Sequence, residues 1–443
     1  MKIAIVGAGI SGLSTAFYLK QKLPDCSLVI YDPETRPGGT MQTVNIGGFL
    51  FEGGGNGFLT NKPDSLQLVK DSGAEHLLLP SSDLARKRFI FHNNGMHRLP
   101  ESPPLFLKSG LLTMGQKLRV AGEFFVAASD SDKDETLQEF GYRRVGKGFT
   151  DVFLDAMVAG IYATTPDRIS VQAAFPMVVA LEREYGGLFR GMIAKRKKGG
   201  GPGGVLTSFR GGVGSFISHL KKTIDAEWQL GCPVTGISRD MAGFQVKTEK
   251  GSEEFDQVII SAPAYAAADM LAGLDPELTG RLQKIDYSPI AVVGFGYEEL
   301  EHPLNGFGLL TTSAAGLPIL GALWDSSIFP DRAPDGSKSI RIMIGGQRNP
   351  ELVALDDKQL LKLAREGLRK TMQIDKEPDS IFIKRWTRGI PSYSPGHLDR
   401  VASIFEQLAT HPGLHLCANA YGGIAMNDCV RNGRELALRI ADA

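Results

Sequence analysis

Hydrophobic positions in this chain follow two periods in turn. Lys2 leads into a wholly apolar run, Ile3-Ala4-Ile5-Val6, the pattern of a strand buried on both faces of a parallel sheet. Residues 13–22 then read as a helix that Pro24 stops, and Ser27-Leu28-Val29-Ile30-Tyr31 reads as a second strand ending at Asp32. The same strand–turn–helix order returns at the far end, where Leu414–Ala418 precedes a glycine turn and a helix from Val430 onward. A central block adds a strand at 205–209, an amphipathic helix carrying Phe216, Ile217, Leu220 and Ile224, and strands at 232–237, 244–246 and 257–261. Residues 92–204 carry mostly helical periods, at 115–128 and 134–160 for example. Between 267 and 404 strands are expected at 291–297, 308–312, 319–324 and 339–345, with a helix at 357–372, the signature of an antiparallel sheet with covering helices. The expectation is an α/β protein in three parts. Residues 1–60, 205–266 and 405–443 form a discontinuous Rossmann-like domain. Residues 61–91 and 267–404 form an α+β domain, and 92–204 a mostly helical one.

The first turn carries chemistry. Gly7-Ala8-Gly9-Ile10-Ser11-Gly12 is a G-x-G-x-x-G placed between strand and helix, and Asp32 follows Gly12 by 20 residues. That order suits a dinucleotide. Gly7 makes the turn, Gly9 lets backbone approach a pyrophosphate, Gly12 lets helix pack on strand, and the helix N-terminus offers N–H groups to phosphate. Asp32 accepts ribose hydroxyls and disfavours a 2′-phosphate. After it come Arg36, Gly38, Gly39 and Thr43, an extension that resembles the one in glutathione-reductase-like and amine-oxidase-like flavoproteins. The cofactor expected is FAD.

Near the C-terminus, Asn419-Ala420-Tyr421-Gly422-Gly423-Ile424-Ala425-Met426 forms a second turn before a helix, suited to the flavin's pyrimidine edge and ribityl chain. A plain cap by Asn427 or Asp428 is the structural alternative.

Composition narrows the partners. Lys+Arg and Asp+Glu stand at 49 each, which gives no case for nucleic acid. Cys26, Cys232, Cys417 and Cys429 are scattered without a C-x-x-C, against a disulfide framework or structural zinc and in keeping with a reducing compartment. The start runs straight into a strand, leaving no room for a signal peptide, and no stretch reaches the roughly 18 apolar residues of a spanning helix. The Lys195-Arg196-Lys197-Lys198 run and the glycines after it, preceded by Leu188-Phe189-Arg190-Gly191-Met192-Ile193, read either as a flexible solvated loop or as a contact with anionic lipid. Pro103–Leu107, Leu111 and Leu112 add apolar side chains of the same kind.

Taken in order, the motifs resemble one family over nearly the whole chain. They include residues 5–13, Phe51–Leu59, Arg88-Phe89-Ile90-Phe91 with Leu99-Pro100, Ala159–Ala163, Pro289–Val293, Gly306-Phe307-Gly308, Trp386 with Gly389-Ile390-Pro391, and Asn427–Val430 with Gly433. The set is similar to that of the oxygen-dependent protoporphyrinogen oxidases. The resemblance implies an FAD domain, a substrate domain and a membrane-associated helical domain. It implies six-electron oxidation of protoporphyrinogen IX to protoporphyrin IX, with dioxygen as acceptor, hydrogen peroxide as product, and no metal. A meso carbon would lose hydride to the flavin while pyrrole N–H protons depart, in three rounds, with no acid or base that must be named. Cytoplasmic placement at the inner face of the membrane follows, and a homodimer is admitted. Cofactor contacts are assigned to Gly7, Gly9, Ile10, Ser11, Gly12, Asp32, Arg36, Gly38, Gly39 and Thr40. Further ones fall to Gly54, Gly55, Asn56, Val234, Ala262, Gly423, Ile424, Ala425 and Met426. For substrate, Arg88 matches the propionate-binding arginine, Phe307, Leu310 and Met343 line the pocket, and Gly308 lets backbone approach the ring.

Asp32 stands where many members have Glu, and the Gly53-Gly54-Gly55-Asn56 and Tyr421-Gly422-Gly423 stretches are richer in glycine than usual. The near rival is coproporphyrinogen III oxidation, which a second basic residue facing the pocket would favour. An amine oxidase is less well matched: Asn419-Ala420-Tyr421-Gly422 stands where those enzymes carry Gly-Glu-x-Thr. A flavin-free binding protein of the same architecture is a third reading, against which the intact phosphate-binding glycines argue.

Overall fold

The structure, a computed structural model, describes residues 1–129, 133–197, 203–241 and 243–442. A five-stranded parallel sheet lies at one end, in the order Glu227–Leu230, Ser27–Asp32, Lys2–Val6, Gln257–Ile260, Leu414–Leu416. Its strands come from three distant parts of the chain. Ile3, Ala4, Ile5, Val258, Ile259 and Ile260 are fully buried, as the apolar run at 3–6 requires of a strand covered on both faces. The edge strand Glu227–Leu230 has no strong apolar signal and escapes the sequence pattern. The strand expected at 232–237 is found at Val234–Arg239, in a separate antiparallel sheet with Phe244–Thr248 and Gly251–Phe255.

Helix Ile10–Lys22 follows the first strand, and helix Met426–Ala441 packs beside it. Their approach is close at Gly433, where a Cβ would sit 2.6 Å from Ser14 Oγ and 3.0 Å from the Ser11 carbonyl. The C-terminal helix therefore starts four residues before Val430, the start expected from periodicity. Gly423 (φ 113°) ends the preceding turn, and Ala425 takes the extended N-cap conformation. That leaves Met426 to Cys429 free to enter the helix.

The second large sheet has seven strands, in the order Ser380–Pro391, Tyr287–Tyr297, Lys338–Gly345, Ile319–Leu323, Gly308–Thr311, Arg88–His92, Gly95–Arg98. It is not purely antiparallel: Gly308–Thr311 runs parallel to Arg88–His92, with Gly308 opposite Arg88 and Leu310 opposite Ile90. The two segments come from far apart in the chain, so no hairpin forces them antiparallel. Helix Asp357–Met372 opens with a capping box at Asp356 and Gln359, and its apolar stripe covers one sheet face, where Ile340, Ile342 and Ile344 are fully buried. Met343 and Leu310, one residue out of phase with that core, pack on other clusters with Ala159, Ala163 and Ala156.

The intervening segment is helical but broken. The expected helices at 115–128 and 134–160 resolve into Met114–Ala121 with a 3-10 turn at Gly122–Phe125, and Leu137–Arg144 followed by Lys147–Phe149, a π turn and Asp155–Tyr162. The cause of the second break is Gly146, at φ 85°. Capping boxes at Thr113 and Thr136 set the two starts. Leu188–Lys197 is helix rather than flexible loop, while residues 198–202 of the basic glycine stretch lie outside the described residues. Among the described residues no helix is long and apolar enough to cross a membrane.

Candidate functional site

A cavity of about 1020 Å³ opens at the C-terminal ends of the parallel strands. This is where an open α/β sheet gathers its ligands. Its floor is the first glycine turn. Gly7 (φ 110°) reverses the chain, and a Cβ there would meet the backbone of Ser261 at 2.9 Å. Gly12 is tighter still, its Cβ position lying 2.1 Å from the Gly7 carbonyl oxygen and 3.2 Å from Ser261 Cβ. Gly9 is different: nothing of the protein lies within 4 Å of its Cβ position, which faces open space on the cavity wall. Glycine at 7 and 12 thus serves the fold, whereas glycine at 9 leaves room.

Two of the helices that reach the cavity, Ile10–Lys22 and Met426–Ala441, begin without a side-chain cap. Gly9 caps the first and Ala425 the second. The alternative in which Asn427 or Asp428 caps the C-terminal helix is overturned. Asn427 Oδ1 accepts the Ser65 N–H and its Nδ2 donates to the Leu59 carbonyl, while Asp428 pairs with Lys62 and Arg431. Two helix N-termini, with their N–H groups and partial positive charge, are therefore available to electron-rich groups in one cavity.

Asp32 stands at the end of the second strand and is 7% exposed. Its Oδ2 accepts the Ala8 N–H at 2.8 Å and its Oδ1 the Glu34 N–H at 2.9 Å. Burial pushes its carboxyl above the usual aspartate range, and the two N–H bonds oppose that shift. The carboxylate braces the glycine turn while lining the cavity.

The fit to a dinucleotide has an independent sign. The Ser261 hydroxyl, on the cavity wall beneath the glycine turn, is buried without a hydrogen-bond partner. A polar group held there would satisfy it.

The predicted cofactor residues divide. Gly7, Gly9, Ile10, Ser11, Asp32, Gly38, Gly39, Thr40, Gly55, Val234, Ala262, Ile424, Ala425 and Met426 all line the cavity. Gly12 lies behind the wall for the packing reason above. Arg36 does not line the cavity; its guanidinium donates to Gln42 Oε1 and to the Pro37 carbonyl, bracing the turn before Gly38. Gly38 in turn donates its N–H to the Ala8 carbonyl at 2.8 Å, so the two glycine segments lie side by side. Gly54 is packed against the Thr40 carbonyl, where a Cβ would come to 2.3 Å, and its own carbonyl accepts from Arg341. Asn56 and Gly423 are off the wall, Gly423 giving its N–H to the Tyr393 hydroxyl.

None of the five proposed substrate residues lines this cavity. Arg88 is exposed, with its guanidinium 5.0 Å from the Phe307 ring centroid, so these two are together. Leu310 and Met343 are half-buried, on strands that share one sheet. Gly308 (φ 134°) has another reason to be glycine: a Cβ would lie 2.1 Å from the Ala322 carbonyl of the neighbouring strand. That contact within the sheet accounts for the residue without an approaching ring.

Several wall residues carry no local sequence signal. Trp386 donates its indole N–H to the Gly53 carbonyl at 2.7 Å. Arg388, two residues on, places its guanidinium 3.5 Å from the Tyr265 ring centroid, and both line the cavity. Lys62 brings a second cation to the wall. Trp386 belongs to the motif set quoted above, but its place beside Gly53 needs the fold. Cys429 also lines the wall, buried, with its thiol pushed up to about 12 by burial. It is an inert thiol at neutral pH.

Below Gly53 lies a buried charge network. Glu52 pairs with Arg332 at 3.1 Å and accepts from Thr43 Oγ1 and the Val213 N–H. Arg341 pairs with Asp325 at 3.0 Å and donates to the carbonyls of Glu52 and Gly54. It ties the Gly53–Gly55 stretch, whose Gly55 lines the cavity, to the seven-stranded sheet.

Residues 10–441 match the family model of the flavin containing amine oxidoreductases. Among curated relatives, the coproporphyrinogen III oxidase of Bacillus subtilis is 28% identical, over 98% of this chain and 96% of its own. The chloroplastic protoporphyrinogen oxidase 1 of Arabidopsis thaliana is also 28% identical, over 98% of this chain and 87% of its own. A crystal structure of a provisionally assigned protoporphyrinogen oxidase from Exiguobacterium sp. 255-15 superposes with a TM-score of 0.88 at 27% identity, over 99% of this chain and 98% of that one. A reduced UDP-galactopyranose mutase, 18% identical with a TM-score of 0.77, shares the fold. A cavity with two uncapped helix ends, the Asp32 carboxylate on its wall and a family match over nearly every residue lead to one statement: the chain belongs to the flavin containing amine oxidoreductases and is an FAD-dependent oxidoreductase.

Proposed function

We propose that this chain oxidises a porphyrinogen to the porphyrin, with protoporphyrinogen IX as substrate and protoporphyrin IX as product. The observation that carries the reading is the end-to-end similarity to porphyrinogen oxidases, which spans both glycine turns and the sheet between them. Bound FAD would accept two electrons at a time. The six-electron change then needs three rounds, in which three dioxygen molecules become three of hydrogen peroxide and the substrate loses six hydrogens in all. The protein's part is positioning. The Ile10 and Met426 helix ends hold the cofactor's charged and electron-rich groups, and Asp32 takes the ribose. Arg88, exposed over Phe307, takes a propionate in the bidentate way a guanidinium allows. Leu310 and Met343 offer apolar contact to the ring. The division into residues 1–60, 205–266 and 405–443 for cofactor, 61–91 and 267–404 for substrate, and 92–204 for the helical part belongs to the same reading.

Arg388 and Lys62 on the cavity wall favour a second reading, coproporphyrinogen III, whose four propionates call for more cations than two do. The test is a single-turnover assay of the flavin-loaded protein with each porphyrinogen in air, read by porphyrin fluorescence above the autoxidation blank. A rise with neither substrate would reject porphyrinogen oxidation altogether, and the relative rates decide between the two.

The helical part is proposed to rest on the inner face of the cytoplasmic membrane. Phe125 is 90% exposed, Leu118 66%, Met114 62% and Leu107 57%, large apolar groups that a lipid surface could take up. Co-sedimentation with anionic vesicles that survives Leu118→Ser and Phe125→Ser together would remove this part of the proposal.

A further inference from the structure

Tyr393 stands just past the strand Ser380–Pro391 and is 3% exposed. Its hydroxyl makes two bonds to one turn. It accepts the Gly423 N–H at 2.8 Å and donates to the Asn419 carbonyl at 2.6 Å. One phenol therefore clamps both ends of the short helix Asn419–Gly422. The two residues after Gly423, Ile424 and Ala425, are on the cavity wall, and Ala425 begins the uncapped helix Met426–Ala441.

Tyr393 is itself held from the other side. Its ring stacks on His397, with centroids 4.1 Å apart and planes 16° from parallel, and lies 5.7 Å from the Tyr162 ring. Its carbonyl accepts the Ser170 N–H at 2.7 Å. Tyr162 and Ser170 belong to the helical segment. The phenol thus joins three parts: the end of the seven-stranded sheet, the helical segment, and the turn that aims the C-terminal helix.

A residue that merely filled this space could be phenylalanine. The hydroxyl does something packing does not: it fixes the direction of the backbone entering the Met426 helix end. We propose that Tyr393 is a positioning residue that sets the reduction potential of the bound flavin through the Asn419–Gly423 turn. The inference rests on the reading that this helix end faces the flavin. Partial positive charge at a helix N-terminus favours the electron-rich reduced state over the oxidised one. Slack in the turn lets the helix end move off its target, and the potential falls.

The test is Tyr393→Phe on the flavin-loaded protein, reduced with dithionite against a reference dye and without porphyrinogen, so that the substrate assignment plays no part. Affinity for reduced relative to oxidised flavin is expected to fall about tenfold, a drop of about 30 mV for a two-electron couple. Tyr162→Phe, which removes a hydroxyl bond to the Ala174 carbonyl and none to the turn, is expected to leave the potential where it was. A folded, flavin-loaded Tyr393→Phe with the wild-type potential would overturn the proposal. Should that variant fail to fold, deuterium exchange in the wild-type holoenzyme decides: the Gly423 amide is expected to be protected, and free exchange there would equally overturn it.

Discussion

Gly9 and Gly12 sit three residues apart in one motif, and the structure assigns them opposite vulnerabilities. At Gly12 an added methyl would lie 2.1 Å from the Gly7 carbonyl oxygen, which is backbone and has no flexible end to move aside. Strand and helix must separate, and overpacking of this kind costs about 1–3 kcal/mol. Gly12→Ala should therefore lower the melting temperature of the flavin-free protein as well as weaken FAD binding. At Gly9 the backbone is already in an ordinary extended conformation (φ −72°, ψ 174°) and the methyl would enter open space. Gly9→Ala should leave the flavin-free protein as stable as before, or more stable by about 0.4–1 kcal/mol through a stiffer unfolded chain. What the methyl does occupy is cavity. If the cofactor's pyrophosphate comes up to this backbone, one or more charge-assisted hydrogen bonds lengthen, each worth about 1.5–3 kcal/mol, and affinity falls about 10–100-fold. Flavin-fluorescence titration of the apoprotein, with thermal melts of the same samples, reads both quantities. A Gly9→Ala variant with unchanged FAD affinity would refute the close approach of pyrophosphate at that residue, whatever Gly12→Ala does.

Arg88→Ala should raise the Michaelis constant for a porphyrinogen by about 10-fold or more, since a hydrogen bond to a charged group contributes about 1.5–3 kcal/mol; steady-state kinetics showing no change in either constant would remove Arg88 from the site. His397 and His415 are both lowered to about 4, by burial first and by Arg400 and Arg439 second. Each stays neutral in the folded state while the unfolded chain takes up a proton below about 6.5. Stability should therefore fall as pH drops from about 6.5 toward 4, and urea melts of His415→Gln should show a shallower loss over that window. Asp275 is held at about 2: burial would raise it, but bonds from Gln407, the Leu278 N–H and His411 prevail. It caps the helix Pro276–Leu282, so Asp275→Ala should cost about 1–2 kcal/mol at neutral pH. The deficit relative to wild type should shrink as pH falls from about 4 toward 2 and the wild-type carboxylate is protonated.

The parts of the site legible in sequence are those where local chain geometry alone dictates residue type. Gly7, Gly9, Gly12 and Asp32 lie within one strand–helix–strand unit, so spacing and structure are nearly the same statement. Arg36 is local too, yet its contacts to Gln42 and the Pro37 carbonyl are not announced by the motif, because a flexible guanidinium can reach several acceptors. The start of the C-terminal helix at Met426 was hidden because polar Asn427 and Asp428 resemble caps; each is drawn instead to a partner hundreds of residues away, Leu59 with Ser65 and Lys62. The parallel pairing of Gly308–Thr311 with Arg88–His92, which brings Phe307 under Arg88, depends on a register between segments over 200 residues apart. Arg388 beside Tyr265 is of the same kind. Periodicity reports which face of an element is buried, not which other element buries it.

The charge network under Gly53 shows why that last distinction matters for chemistry. Glu52, Arg332, Arg341 and Asp325 are each no more than 2% exposed. Burial leaves the carboxyls of Glu52 and Asp325 above their usual range, and the facing arginines offset only part of that rise. Such pairs are poor sources of net stability, since desolvation offsets most of the attraction. Their geometry is more telling. Arg341 extends from the seven-stranded sheet, and two of its bonds go to the Glu52 and Gly54 carbonyls, in the stretch whose next residue, Gly55, is cavity wall. An apolar pair could pack the same space but would leave both carbonyls without these donors and the 52–55 stretch free to slide. Arg341→Met should leave Asp325 and Glu52 under-compensated and cost about 3–5 kcal/mol. Arg341→Met with Asp325→Leu should recover much of that stability. If registration of the two sheets is what the network contributes, the double variant regains its melting temperature without regaining FAD affinity. Recovery of both together would mean that the arginine matters only as a buried charge needing a partner.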